Sequence, residues 1–125
     1  MSQIIAFFLA LLFTYSIMPS SLSSAKPIIE KGKTIYMNRC QKCHGTTGEG
    51  DGPSAEFLSV KPASFKEGKM FIDKEGIDME PEDRIAMVIR KGGPSAKKSK
   101  LMQAYPDLSD QEIQDVIGFL KTLKK

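Results

Sequence analysis

Cys40-Gln41-Lys42-Cys43-His44 gathers both cysteines and the single histidine of the 125-residue chain into five positions. C-x-x-C-H is the attachment signature of c-type haem. The spacing has a physical reason. Residues three apart are neighbours on a helix surface, so two sulfurs reach the two vinyl groups on one porphyrin edge. The histidine that follows lies under the ring and offers an imidazole nitrogen to iron. Other uses of these residues fit less well. A structural zinc site takes four protein ligands, and this window supplies three. A thioredoxin-like pair belongs beside a βαβ unit, which the chain lacks. A plain disulfide would leave His44 incidental.

Upstream of the motif, Ile28 to Arg39 carries Ile28, Gly32, Ile35 and Tyr36 at helical spacing on one face. Downstream comes a glycine-rich loop with Gly45, Gly48, Gly50 and Gly52 before Pro53. Residues 54–80 have scattered apolar positions without a sustained period, which predicts loop with one or two short helical turns. A second helix is expected from Pro81, a good first-turn residue, to Lys91. Glu82 and Asp83 suit its first turn, Arg90 and Lys91 its last, and Gly92-Gly93-Pro94 stops it. Residues 95–107 read as a polar, basic loop. The last helix announces itself by a capping box, Ser109 with Glu112, followed by Ile113, Val116, Ile117, Leu120 and Leu123. No hairpin turn or internal repeat stands out, so the fold class is all-α.

Charge divides the chain in two. Residues 1–25 contain no Asp, Glu, Lys or Arg, and all 33 charged residues lie in the other 100. Ile4 to Met18 is a fifteen-residue, predominantly apolar stretch, followed by Pro19, a serine-rich segment and Ser23-Ser24-Ala25. That order fits a signal peptide, residues 1–25, cleaved after Ala25. The stretch falls short of the roughly 20 residues a membrane-spanning helix needs, so a membrane association would require the leader to stay uncleaved. The expected location of residues 26–125 is the periplasm. They form one domain with only 35 apolar residues, too few for an ordinary core of that length. Small domains of this kind are commonly supplemented by a metal, a disulfide or a cofactor.

With the motif and helices placed, residues 28–123 resemble the class I c-type cytochromes. The resemblance implies the cytochrome c fold: N- and C-terminal helices crossing, with loops and a middle helix wrapping one covalently attached haem c. In that family the crossing uses a glycine and an aromatic on the first helix, matching Gly32 and Tyr36, and an aromatic–Leu pair on the last, matching Phe119 and Leu120. A glycine inside a helix costs about 1 kcal/mol relative to alanine, and a close crossing would explain it. The run from Cys43 to Pro53 is similar to the loop of one bacterial branch. The resemblance further implies Cys40 and Cys43 as covalent haem ligands, His44 as one axial iron ligand, and a methionine as the other. Met102 fits best, because Met102-x-Ala104-Tyr105 resembles the family's ligand loop, although Gln103 stands where proline is frequent. Met79 and Met70 are the alternatives. A proline carbonyl after the motif should accept from the imidazole's other nitrogen, either Pro53 or Pro62.

The implied function is an exported monohaem electron carrier with His/Met ligation, not an enzyme. The alternative is a haem subunit or sensor whose sixth coordination site is open or exchangeable. Its partners would be a redox donor and acceptor. Lys91, Lys97, Lys98 and Lys100 could steer acidic docking surfaces toward the haem edge. The chain is expected to be exported and its aromatics do not interleave with this basic run, which argues against nucleic acid.

Overall fold

The computed structural model describes residues 25–72, 78–96 and 98–125; the expected leader lies outside them except for Ala25. They form four helices: α1 (Ile29–Arg39), α2 (Gln41–His44), α3 (Pro81–Lys91) and α4 (Asp110–Thr122). Single 3-10 turns occupy Ala55–Phe57, Lys69–Phe71 and Gly93–Ala96, and no strand occurs among the described residues. The protein is all-α, with the limits of α1, α3 and α4 within a residue of those the sequence predicts; α2 was not expected as a helix of its own.

The main packing contact is α1 against α4. Gly32 makes it possible: a Cβ there would sit 1.9 Å from the Asp115 carbonyl oxygen, so only a bare backbone passes at this crossing. One turn on, Tyr36 is fully buried, its ring 5.2 Å from Phe119 and 6.3 Å from Phe65. Behind it, Ile113, Val116, Ile117 and Leu120 complete the core. The expected pairing of Gly32 and Tyr36 with the α4 face is therefore observed, with Asp115 and Val116 as the residues directly under the glycine.

Each helix start has its own solution. Ile28 stands at the α1 N-cap and has no side chain to accept from the first turn, so the cap comes from a distance. Its N–H donates to Asp115 Oδ1 at 2.8 Å, and Gln111 Nε2 donates to the same oxygen at 2.9 Å. Ser109 and Glu112 form the predicted capping box on α4. α3 begins with Pro81 and ends at Gly92, as the sequence indicates. Its inner face buries Ile85 and Ile89, and also Arg84, a charged residue for which the helical pattern gave no reason.

Candidate haem cleft

Cys40 follows α1 directly and keeps helical backbone angles, so the motif turns from α1 into α2 almost without interruption. The His44 N–H donates to the Cys40 carbonyl at 2.9 Å and the Gly45 N–H to that of Gln41 at 2.8 Å. The glycine-rich loop then folds back over the motif. Gly50 N–H donates to the His44 carbonyl at 2.8 Å, Gly52 N–H to Cys43 at 3.2 Å and Ser54 N–H to Lys42 at 2.9 Å. Gly50 has φ +78°, and a Cβ there would lie 2.3 Å from the Pro62 carbonyl oxygen, so glycine is required twice over. The Tyr36 hydroxyl donates to the Gly45 carbonyl at 2.7 Å and ties this loop to the core.

His44 has its Nδ1 3.4 Å from the Ala63 carbonyl oxygen, and its ring stacks on Phe65 at 4.7 Å with 21° between planes. A carbonyl accepts, so Nδ1 carries the proton and the Nε2 lone pair is left for a metal. Burial lowers the histidine's pKa, favouring the neutral imidazole, while the Ala63 contact opposes it. The expectation of Pro53 or Pro62 as acceptor is corrected: the Pro62 carbonyl is pressed against Gly50, and the next carbonyl along, Ala63's, faces the ring.

Both thiols are free and half-buried. Burial pushes the Cys40 thiol up to about 11, with Arg39 opposing and Cys43 adding to the rise. Reactive redox cysteines need a lowered pKa, and the shift at Cys40 runs the other way. Among the described residues no three His, Cys, Asp or Glu side chains are placed to share one ion.

The motif opens onto a cleft of about 850 Å³. Cys40, Cys43 and His44 line it on one side; Phe65, Ile85, Val88 and Ile89 give it apolar walls. Two methionines line it as well, Met102 and Met70. Met79 and Met87 instead border a smaller depression on the other face of α3. Met70 packs against the core, and its carbonyl accepts from Arg84 Nη2 at 2.9 Å. Met102 is half-buried in the cleft wall and takes no part in the core cluster. Its backbone is fixed from both sides: the N–H donates to Ser99 at 3.3 Å and the carbonyl accepts from Gly93 N–H at 3.0 Å. Gln103, where proline was the family norm, does not leave the loop loose. Its Nε2 donates to the Tyr105 hydroxyl at 2.8 Å, which donates to the Arg39 carbonyl at 2.8 Å, and Arg39 pairs with Asp107 at 2.6 Å. The Met102 loop is thereby clamped to the end of α1 beside Cys40.

Of the basic run, Lys98 lines the cleft, Lys91 borders the depression behind α3, Lys100 is exposed without lining it, and Lys97 lies outside the described residues. Lys42, Lys61 and Lys69, from other parts of the chain, also line the cleft. A deep, mainly apolar cleft in the usual size range of cofactor sites, with two thiols and an imidazole at one side, fits a haem.

Comparison with known proteins agrees with this geometry. No curated protein matches. A chain of the reducing HAO-like protein complex of Kuenenia stuttgartiensis superposes with a TM-score of 0.62 at 25% sequence identity, over 80% of this chain. This chain spans only 44% of that one, so the larger protein has parts without a counterpart here. The profile of the family Cytochrome c matches residues 29–124. This match covers α1 through α4 with both cysteines, and the chain therefore belongs to the cytochrome c family, whose members bind haem and transfer electrons.

Proposed function

We propose that residues 26–125 are an exported monohaem cytochrome that carries one electron at a time, with haem bound through Cys40 and Cys43 and iron held between His44 and Met102. When bound, the haem supplies a one-electron iron couple. The chain's own residues do the rest. The Ala63 carbonyl holds the His44 proton at Nδ1, and Phe65 fixes the plane of the imidazole. Ile85, Val88 and Ile89 keep water from the cleft wall. Two neutral ligands in such surroundings favour the less charged ferrous state and raise the potential. The observation that carries the choice of Met102 over Met70 is its placement: it lines the cleft without being used by the core. Lys42, Lys61 and Lys98 around the opening would attract an acidic redox partner and speed encounter.

The visible spectrum of the purified ferric protein tests this. The methionine-to-iron charge-transfer band should be present, disappear in Met102→Ala and persist in Met70→Ala. Acid–acetone extraction should leave the colour with the polypeptide, and the mature mass should equal residues 26–125 plus one haem. A leader still present in that mass would replace free diffusion in the periplasm by tethering.

The likeness to a chain from an HAO-like complex favours a second reading, a haem subunit working inside a fixed assembly. A wild-type protein that is five-coordinate and binds carbon monoxide would select that version with an open sixth site.

A further inference from the structure

Arg84 is 4% exposed, and its Nη1 has no hydrogen-bond partner among the described residues. It is the buried one among the described cations lining the cleft; Arg39, Lys42, Lys61, Lys69 and Lys98 are all exposed there. Only Nη2 is used, by the Met70 carbonyl. A lysine in this position could shed its proton to escape the cost of burial, but an arginine keeps its charge at any ordinary pH. An uncompensated buried cation is expensive, and breaking a buried pair by removing one partner is strongly destabilising. An anion would compensate a guanidinium held here, and the described residues offer Arg84 a single neutral carbonyl.

The haem itself carries the missing charge. Its two vinyl groups lie on one edge and its two propionate carboxylates on the opposite one. Thioether bonds to Cys40 and Cys43 pin the vinyl edge to the α1–α2 corner. Helix α3, which presents Arg84, packs on α4 and on the turns Lys69–Phe71 and Gly93–Ala96, and has no close backbone approach to α1 or α2. It stands across the cleft from the cysteines, where the carboxylate edge must go. Arg39 is a poor competitor, since it adjoins Cys40 and is engaged by Asp107.

Resting on the haem reading above, we infer that Arg84 is a positioning residue that binds a haem propionate through its guanidinium, with the Met70 carbonyl orienting it. The planar fork of arginine matches a carboxylate with two parallel donors, and this pairing sets the depth and tilt of the ring relative to α3. Nothing covalent or redox is asked of the side chain.

The ferrous holoprotein, which is diamagnetic when six-coordinate, allows a direct test by nuclear magnetic resonance with labelled arginine. Nuclear Overhauser contacts are expected between the Arg84 guanidinium protons and a propionate methylene. Contacts confined to Met70 and other protein neighbours would overturn the assignment. Because this reads the wild-type chain, it decides even if substitutions prevent maturation. Where Arg84→Gln matures, its midpoint potential should fall by the equivalent of about tenfold in the ferrous-to-ferric ratio, about 59 mV for one electron. Arg84→Lys should recover more than half of that fall, and an unchanged potential in Arg84→Gln would count against the pair. A wild-type chain without covalent haem ends the cytochrome reading itself, and this assignment with it.

Discussion

The α1–α4 crossing and the α3 side of the cleft each bury one charged residue, and they treat it differently. Asp115 in the crossing is fully buried; its Oδ2 has no partner among the described residues, but Oδ1 receives both the Ile28 N–H and the Gln111 amide. The chain thereby converts a buried carboxylate into the missing cap of α1. Arg84 in α3 is almost as buried, has one neutral acceptor, and borders an open cleft. The crossing is filled by amino acids: glycine against backbone, Tyr36 against Phe119, aliphatic side chains behind. The α3 wall has Ile85, Val88, Ile89 and Met102 facing a space that no described residue fills. One region folds onto itself, and the other folds onto something the sequence does not encode.

Removing the haem should separate the two regions most sharply. Replacing Cys40→Ser and Cys43→Ser together should abolish covalent haem. In that apoprotein, amide exchange should accelerate far more in α3 and the loops 54–72 and 98–105 than in α1 and α4. Equal loss of protection everywhere would show that crossing and wall are one cooperative unit.

Next in size is Gly32→Ala. Propensity alone would favour the alanine by about 1 kcal/mol. The methyl, however, would come within 1.9 Å of a backbone oxygen that belongs to another helix and cannot rotate aside. We expect a net loss of about 3 kcal/mol in denaturant unfolding, since both helices must shift. A neutral result would mean that α1 and α4 slide apart freely.

These two regions were also unequally visible in the sequence. Helix limits, the capping box and the Gly32–Tyr36 face were legible because each depends on local spacing or on a residue with one special property. The C-x-x-C-H motif was legible for the same reason, as was the loop that brings Met102 to the cleft wall. Arg84 was not, because a charged residue in the first turns of a helix ordinarily faces solvent, and its burial depends on where Lys69–Phe71 packs. Asp115 was hidden similarly: only the approach of Ile28 from 87 residues away gives its carboxylate a task. The acceptor for His44 was expected at Pro53 or Pro62 and is Ala63, the residue after the second. Which carbonyl faces the imidazole is set by the contact of Pro62 with Gly50, a tertiary event that no spacing rule records.

Tyr36→Phe probes the seam between the regions, because its hydroxyl donates from the finished core to the Gly45 carbonyl, next to His44. Burial, with Cys40 and Asp51 contributing, pushes this phenol far above its ordinary 10, so it stays a donor throughout the accessible pH range. Its removal takes one of two donors from the Gly45 carbonyl, which keeps the Gly48 N–H at 3.2 Å, and about 1–1.5 kcal/mol of stability should be lost in thermal unfolding of the holoprotein. A loss confined to the α1–α4 side, with the haem spectrum unchanged, would place the seam on the core side of Gly45.

The smallest effect belongs to the α4 start, wholly within the finished region. Ser109 Oγ accepts from the Glu112 N–H at 3.3 Å, and the Ser109 N–H donates to the Glu112 carboxylate at 3.0 Å. Ser109→Ala should cost about 1 kcal/mol, read as a shift in the denaturant midpoint without a change in slope. The same box has a pH signature. The Ser109 backbone N–H, followed by its hydroxyl, holds the Glu112 carboxyl below its ordinary 4.5. A carboxyl lowered in the folded state contributes stability above its unfolded pKa and loses it as pH falls through the folded value. Wild-type stability should therefore drop on the acid side of 4.5, and Ser109→Ala should drop less steeply there because the hydroxyl's share is gone. Lys31 lies 3.8 Å from the same carboxylate but the pair is solvent-exposed, so Lys31→Ala should change the acid limb least. If Lys31→Ala instead flattened it more than Ser109→Ala, the ion pair between α1 and α4, and not the cap, would be what Glu112 contributes to the crossing.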